Sequence, residues 1–173
     1  MEQKVAATNS PHWFRRILIG RNPNITFIRI LILAAIAFLV PKFLLLPIRV
    51  QGASMLPTYK ERGVNFVNRL AYRWSDPRRG DVVAIRLAGE HVMYMKRIIG
   101  LPGDTVAFHR GRAFINGVPL SEPYVKLPCD WEYPEVKLEP DVYFFVGDNR
   151  SMAIIDHEFG RGERRRIIGK VLL

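Results

Sequence analysis

Val50-Gln51-Gly52-Ala53-Ser54-Met55-Leu56-Pro57-Thr58 separates the long apolar run of this chain from everything that reads as a folded domain. A serine set between small residues and a rigid proline turn has an uncrowded hydroxyl and a backbone N–H close by. Acyl transfer needs both, a nucleophile and an oxyanion donor. A serine hydroxyl alone is inert until an adjacent base takes its proton. The rest of the sequence therefore has to supply that base.

Upstream, Ile25–Leu46 is apolar except for Thr26, Arg29 and Lys42. Its length meets the ~20 residues that a bilayer core requires. Arg29 and Lys42 lie near its two ends, where long side chains reach the headgroups, and Pro41 is expected to kink or end the helix. A cleavable leader would have a shorter apolar region and a small-residue cleavage site after it; no such site follows. Residues 1–24 are polar and basic, with an interfacial stretch expected at Trp13–Ile19. The formal charge is +10, of which residues 1–48 carry +5. Charge gathered beside an apolar run favours a membrane over nucleic acid as partner. It also predicts the N-terminus inside and residues 49–173 outside. The expected organisation is a cytoplasmic segment 1–24, a transmembrane anchor 25–46 and an extracytoplasmic domain 47–173.

Downstream the pattern is short and β-like. Strands are expected at Val64–Val67, Asp81–Leu87, His91–Leu101, Thr105–Phe108, Ala113–Ile115, Val142–Val146 and Ile167–Leu173, with tight turns at His109–Arg112 and Asn116-Gly117. Residues 121–141, rich in Pro, Glu, Trp and Tyr, read as a long loop whose Trp131 and Tyr133 rest on the bilayer. Arg161–Arg166 (RGERRR) reads as a solvated face within reach of anionic headgroups. The fold class is mainly β, a compact antiparallel or barrel-like sheet behind one N-terminal transmembrane helix. Cys129, the one cysteine, excludes an intrachain disulfide and reads as a packing or surface residue.

On the strand around Lys96, alternation puts Tyr94 and Ile98 on the lysine's face. Burial there disfavours the ammonium form and makes the amine a competent base for a serine. On alternation alone an ordinary solvent-facing lysine is the stronger reading, since most strand lysines face water. His12, His91, His109 and His157 are scattered without Ser-His-Asp spacing, and the sequence has no H-E-x-x-H, C-x-x-C or glycine-rich phosphate loop.

In order, the segments V-x-G-x-S-M-x-P-T at 50–58, Arg79-Gly80-Asp81-Val82-Val83, Tyr94–Asp104 (YMKRIIGLPGD), Gly147-Asp148-Asn149-Arg150 and Ile167-Ile168-Gly169-Lys170 resemble the motifs of the type I signal peptidases, or leader peptidases. The resemblance covers most of residues 25–170. It implies a membrane-bound serine endopeptidase with a Ser/Lys dyad, using no metal or cofactor. Such an enzyme removes signal peptides from exported preproteins with small residues at −1 and −3, on the outer (periplasmic) side of the cytoplasmic membrane. By position Ser54 is the nucleophile, its N–H an oxyanion donor, and Lys96 the general base. Gly52 and Ser151 are the expected oxyanion or lysine-orienting supports, with Met55, Pro57, Gly147, Asp148, Asn149 and Arg150 as structural motif residues.

Two departures from the family pattern stand out. Gly52 occupies a position where some members carry a serine whose hydroxyl is a second oxyanion donor. The closing box, usually G-D-N-R-x-x-S-x-D-S-R, has Ala153, Ile155 and His157 in place of Ser, Asp and Arg, so that Ser151 and Asp156 are the expected substitutes. The family's large β-insertions are absent. This leaves open a dedicated relative that matures one substrate, such as a conjugation pilin precursor, and a non-catalytic membrane-tethered binding module. A Ser/Lys self-cleaving repressor shares the serine turn, but the anchor and the absence of a helix-turn-helix argue against it.

Overall fold

A computed structural model describes residues 23–86, 93–157 and 159–172. Residues 1–22, including the stretch at Trp13–Ile19, lie outside the described residues, as do His91 and the ends of three expected strands at 87, 91–92 and 173. The chain divides into two units, one reaching to Phe43 and one from Leu44 to Leu173.

The first unit holds helix α1 (Pro23–Leu44). Pro23 opens it at the position where a fixed φ and a missing N–H cost least. Its apolar side chains point outward all round, and Asn24–Leu44, with a mean hydropathy of 2.3, buries none of its most apolar window inside the protein. A helix apolar on every side and uncovered by protein is long and apolar enough to cross a bilayer. Pro41 does not end it. The helix continues to Leu44 and stops short of Leu46, because Leu45 and Leu46 are taken up by sheet pairing opposite Asn68 and Val67.

The second unit is built from β1 (Leu45–Arg49), β2 (Val64–Asn68), β3 (Val82–Ile85), β4 (Tyr94–Gly100), β5 (Thr105–His109), β6 (Arg112–Ile115), β7 (Val118–Pro119), β8 (Tyr133–Lys137), β9 (Val142–Val146), β10 (Gly160–Glu163) and β11 (Ile167–Leu172). They form two sheets, in the orders β1-β2-β11-β3-β4-β9-β10 and β7-β6-β5-β8, and the pairings are antiparallel. Two hairpins turn on Arg110-Gly111 and Asn116-Gly117, where both central residues have positive φ, the geometry that matches strand twist.

The core gathers in three clusters. Val50, Met55 and Tyr59 from the serine segment pack with Val67, Val82, Ala84, Met95 and Val171. Val83, Ile85, Ile98, Tyr143 and Phe145 form the second. The third joins the small sheet to β9 through Ile99, Val106, Phe108, Trp131 and Phe144. Trp131 is 3% exposed and its indole N–H donates to Met152 O at 2.8 Å. Tyr133 packs edge-on against Phe144 and Phe159. Trp131 is therefore a core residue and not a bilayer contact, and Tyr133 is half-buried against the same cluster: the small sheet needs apolar cover, and the segment after Glu122 provides part of it. For the same reason 121–141 is not all loop, since β8 lies within it. Arg161–Glu163 likewise belongs to β10, paired with β9.

Candidate active site

The serine segment forms a turn after β1. Leu56 N donates to Ala53 O (3.1 Å) and Tyr59 N to Met55 O (2.9 Å), while the apolar side chain of Met55 is driven into the core. Gly52 takes φ 91°, a left-handed value that side-chain-bearing residues rarely adopt. Ser54 is half-buried, on the wall of a groove lined also by Ile48, Val50, Met55, Ala84, Tyr94 and Met95.

The segment 147–150 holds this turn from behind. Asn149 N donates to Ser54 O and Asn149 Nδ2 to Ala53 O, both at 3.0 Å, so the carbonyls of Ala53 and Ser54 are satisfied. Asp148, fully buried, accepts from Thr58 Oγ1 (2.6 Å) and from Arg97 Nε and Nη2 (2.8 and 2.6 Å). One carboxylate thereby ties the end of the serine segment to β4. Its charge raises the Arg97 guanidinium against the cost of burial, and Arg97 stacks 3.9 Å from the Tyr124 ring. Asp148→Ala would leave that guanidinium buried and unpaired, at a cost of about 3–5 kcal/mol, readable as a lowered Tm. Arg150 is buried too, donating to Gly147 O (2.8 Å) and to both carboxylate oxygens of Glu122 (2.6 and 3.2 Å). Glu122 is a partner the sequence reading missed; only a buried arginine in the 147–150 box could have signalled the need for one.

Lys96 lies on β4 opposite Val83, is 1% exposed, and has its Nζ 5.9 Å from the Tyr94 ring. Arg97 pairs with Val146 across the β4–β9 ladder, so the register continued by one residue brings Lys96 opposite Gly147. Gly147 in turn backs directly onto the Ser54 turn: a Cβ there would lie 2.1 Å from Ser54 O and 2.7 Å from His157 Cε1 and Nε2. The positive field of Lys96 acts on the His157 ring. Gly147 thus lies between the Ser54 turn and the His157 ring, with Lys96 on the neighbouring strand β4.

His157 is the residue the sequence reading passed over. It is 3% exposed, packs T-shaped on Trp131 at 4.7 Å, and neither ring nitrogen has a side-chain or backbone hydrogen-bond partner of good geometry among the described residues. Burial first, then the charges of Lys96 and Arg150, push its pKa down to about 3. The imidazole is therefore neutral at every pH where a lysine base would work. An unfolded chain titrates this histidine near 6.5 and takes up a proton that the folded site refuses. Stability is then complete above about pH 6.5 and falls with acidification toward pH 3, by on the order of 3 kcal/mol between pH 7 and 4. His157→Gln should flatten that part of the stability–pH curve in chemical denaturation.

Ser151 and Asp156, the expected substitutes in the altered box, are both exposed. Ser151 is exposed and its hydroxyl donates to Asn149 Oδ1 at 2.7 Å, an Asx-type contact that caps the loop. Asp156 is exposed at the end of the 3₁₀ turn Ile154–Asp156 and makes no ion pair among the described residues. Ile155 stands in solvent, and His157 fills the interior position at this end of the box.

The sequence profile of the family described as signal peptidase, peptidase S26, matches residues 24–173. The chain belongs to this family. It is 41% identical over 131 residues to a signal peptidase I of Bacillus amyloliquefaciens, covering 70% of each chain. It is 36% identical over 152 residues to signal peptidase I P of Bacillus subtilis subsp. natto, covering 81% of this chain and 82% of that one. A probable signal peptidase I-2 of Synechocystis is 34% identical over 130 residues. The chain spans 60% of the length of that signal peptidase and 65% of the one from Leptolyngbya laminosa.

Proposed function

We propose that this chain is a membrane-anchored serine endopeptidase that cleaves signal peptides from exported preproteins. Ser54 is the nucleophile and Lys96 the general base. The observation that carries the reading is a lysine 1% exposed on β4, next to the glycine that backs the Ser54 turn. Removal from water disfavours the ammonium form, and the neutral amine takes the hydroxyl proton as Ser54 attacks the scissile carbonyl. The Ser54 N–H, which donates to no backbone carbonyl among the described residues, serves the developing oxyanion. Lys96 then returns the proton to the leaving amine, and water repeats the sequence on the acyl-enzyme. The groove beside Ser54, walled by Ile48, Val50, Met55, Ala84 and Met95, supports an extended peptide that offers small side chains at −1 and −3.

Cleavage of a preprotein by the full chain in detergent tests this. The wild type should release the mature protein, and Ser54→Ala should release none. Equal cleavage by both would remove Ser54 from the chemistry, and cleavage by neither would favour a binding module.

Helix α1 is the proposed single-pass anchor, with the basic segment 1–24 inside and the peptidase domain outside. In right-side-out vesicles, added protease should digest the domain and spare the N-terminal segment. Protection of residues 49–173 would overturn the orientation and the export role together.

A further inference from the structure

Antiparallel pairing brings two arginine-bearing segments to one end of the large sheet. The loop after β2 carries Arg69 and Arg73, and the turn before β11 carries Arg164 and Arg165; β2 and β11 are neighbours, with Lys170 opposite Asn68. The four arginines line one cleft of about 240 Å³, floored by Tyr72, Pro77, Ile167 and Ile168. Two of these charges are already engaged, Arg164 by Asp76 (3.1 Å) and Arg165 by Glu163. Arg69 and Arg73 have no ion pair among the described residues, and Arg164 Nε is buried without a hydrogen-bond partner. The cleft thus presents unspent guanidinium donors in a concave setting, a geometry suited to a phosphate monoanion. Its volume is below the ~300–1,000 Å³ of pockets for drug-sized ligands.

Two further observations say which phosphate. Trp74, beside Arg73, is 82% exposed. An indole left in water next to cationic side chains suits the membrane–water interface, where tryptophan is enriched. Arg69 N also donates to Leu44 O at 3.1 Å, the last residue of α1. Asn24–Leu44 is about 31 Å long at 1.5 Å per residue, the thickness of a bilayer core. A chain crossing on this helix leaves the hydrocarbon at Leu44, and the loop tied to Leu44 then stands at headgroup depth.

We infer that the cleft formed by Arg69, Arg73, Arg164 and Arg165 binds the phosphate of an anionic phospholipid headgroup, with Trp74 seated in the interface beside it. The inference rests on α1 being a membrane anchor, and it adds a lipid site distinct from the Ser54 groove. It also accounts for the RGERRR run, which the peptidase reading leaves unused.

The test uses the full chain in detergent, titrated with nitroxide-labelled phosphatidylglycerol or phosphatidylcholine while tryptophan fluorescence is followed. Trp74→Phe supplies the signal from the other tryptophans. Phosphatidylglycerol should quench Trp74 saturably and phosphatidylcholine should not. The double variant R69Q/R73Q should weaken the phosphatidylglycerol effect by about tenfold or more, since each charge-assisted hydrogen bond contributes about 1.5–3 kcal/mol. It should still cleave preprotein in the absence of that lipid, which shows it folded. Wild-type quenching in R69Q/R73Q overturns the site. So does displacement by inorganic phosphate or an oligonucleotide as effective as by phosphatidylglycerol, which would make it a general phosphate site. Flotation of the wild type with pure phosphatidylcholine vesicles reads the anchor separately: its failure sinks the anchor reading, while the detergent titration still decides the cleft.

Discussion

Lys96→Arg is expected to stop preprotein cleavage as completely as Ser54→Ala. The two side chains carry the same charge, but a guanidinium is not deprotonated in a protein. It can pair and stack; it cannot accept the serine proton. Losing one member of a nucleophile–base unit costs about 10⁴-fold or more, so the residual rate should fall below detection in a gel-based assay. Because Lys96 is buried opposite Val83, the larger arginine also strains its surroundings. Lys96→Met, apolar and of similar length, provides the control: it should retain or raise Tm and be equally inactive. Substantial cleavage by either variant would sink the lysine-base assignment. The pH profile gives a second readout. Activity should rise with pH as the amine loses its proton, and no limb near pH 6 should belong to His157, whose pKa of about 3 leaves it neutral there.

The sequence exposed the parts of this molecule whose pattern is local. α1 is a run of apolar residues, and two-residue turns such as Asn116-Gly117 announce themselves by composition. The segments 50–58, 94–104 and 147–150 are legible because they resemble, in order, the motifs of the type I signal peptidases. What the sequence did not disclose depends on partners far along the chain. Leu45 and Leu46 look like the end of a membrane span, and only pairing with Asn68 and Val67 makes them a strand. Trp131 looks like a surface aromatic until it packs with the small sheet and β9 in one core cluster. His157 looks like a stray histidine in a decayed box, because its burial against Gly147 and Trp131 comes from tertiary packing alone. Ser151 was the natural substitute by spacing, yet its hydroxyl is used by Asn149, two residues away. Local hydrogen bonding is a frequent fate of serine in loops.

Gly147→Ala should disable the enzyme while adding only one methyl group. The new Cβ would lie 2.1 Å from Ser54 O and 2.7 Å from two atoms of the His157 ring. The first neighbour is backbone, and Asn149 N already fixes that carbonyl at 3.0 Å, so the carbonyl cannot swing aside without breaking this bond. Nor can the β9 end retreat freely, because Arg150 holds Gly147 O at 2.8 Å and is itself buried against Glu122. The strain must therefore displace the Ser54 turn relative to β4 and Lys96. A displacement of about 1 Å between reacting groups costs on the order of 100-fold in rate, and overpacking of this kind costs roughly 1–3 kcal/mol in stability. The expected result is a preprotein cleavage rate down by about two orders of magnitude with a folded, less stable protein. Gly117→Ala gives the contrast: its Cβ meets nothing within 4 Å, and its φ of 77° strains the backbone alone. It should lose about 1 kcal/mol of stability and no activity. Adding His157→Ala to Gly147→Ala relieves the ring contact but not the carbonyl contact, so it should restore little of the rate. A Gly147→Ala enzyme that cleaves within a few-fold of wild type would mean that the Ser54 turn tolerates movement against β4, and that the tight packing behind it does not set the geometry of the dyad.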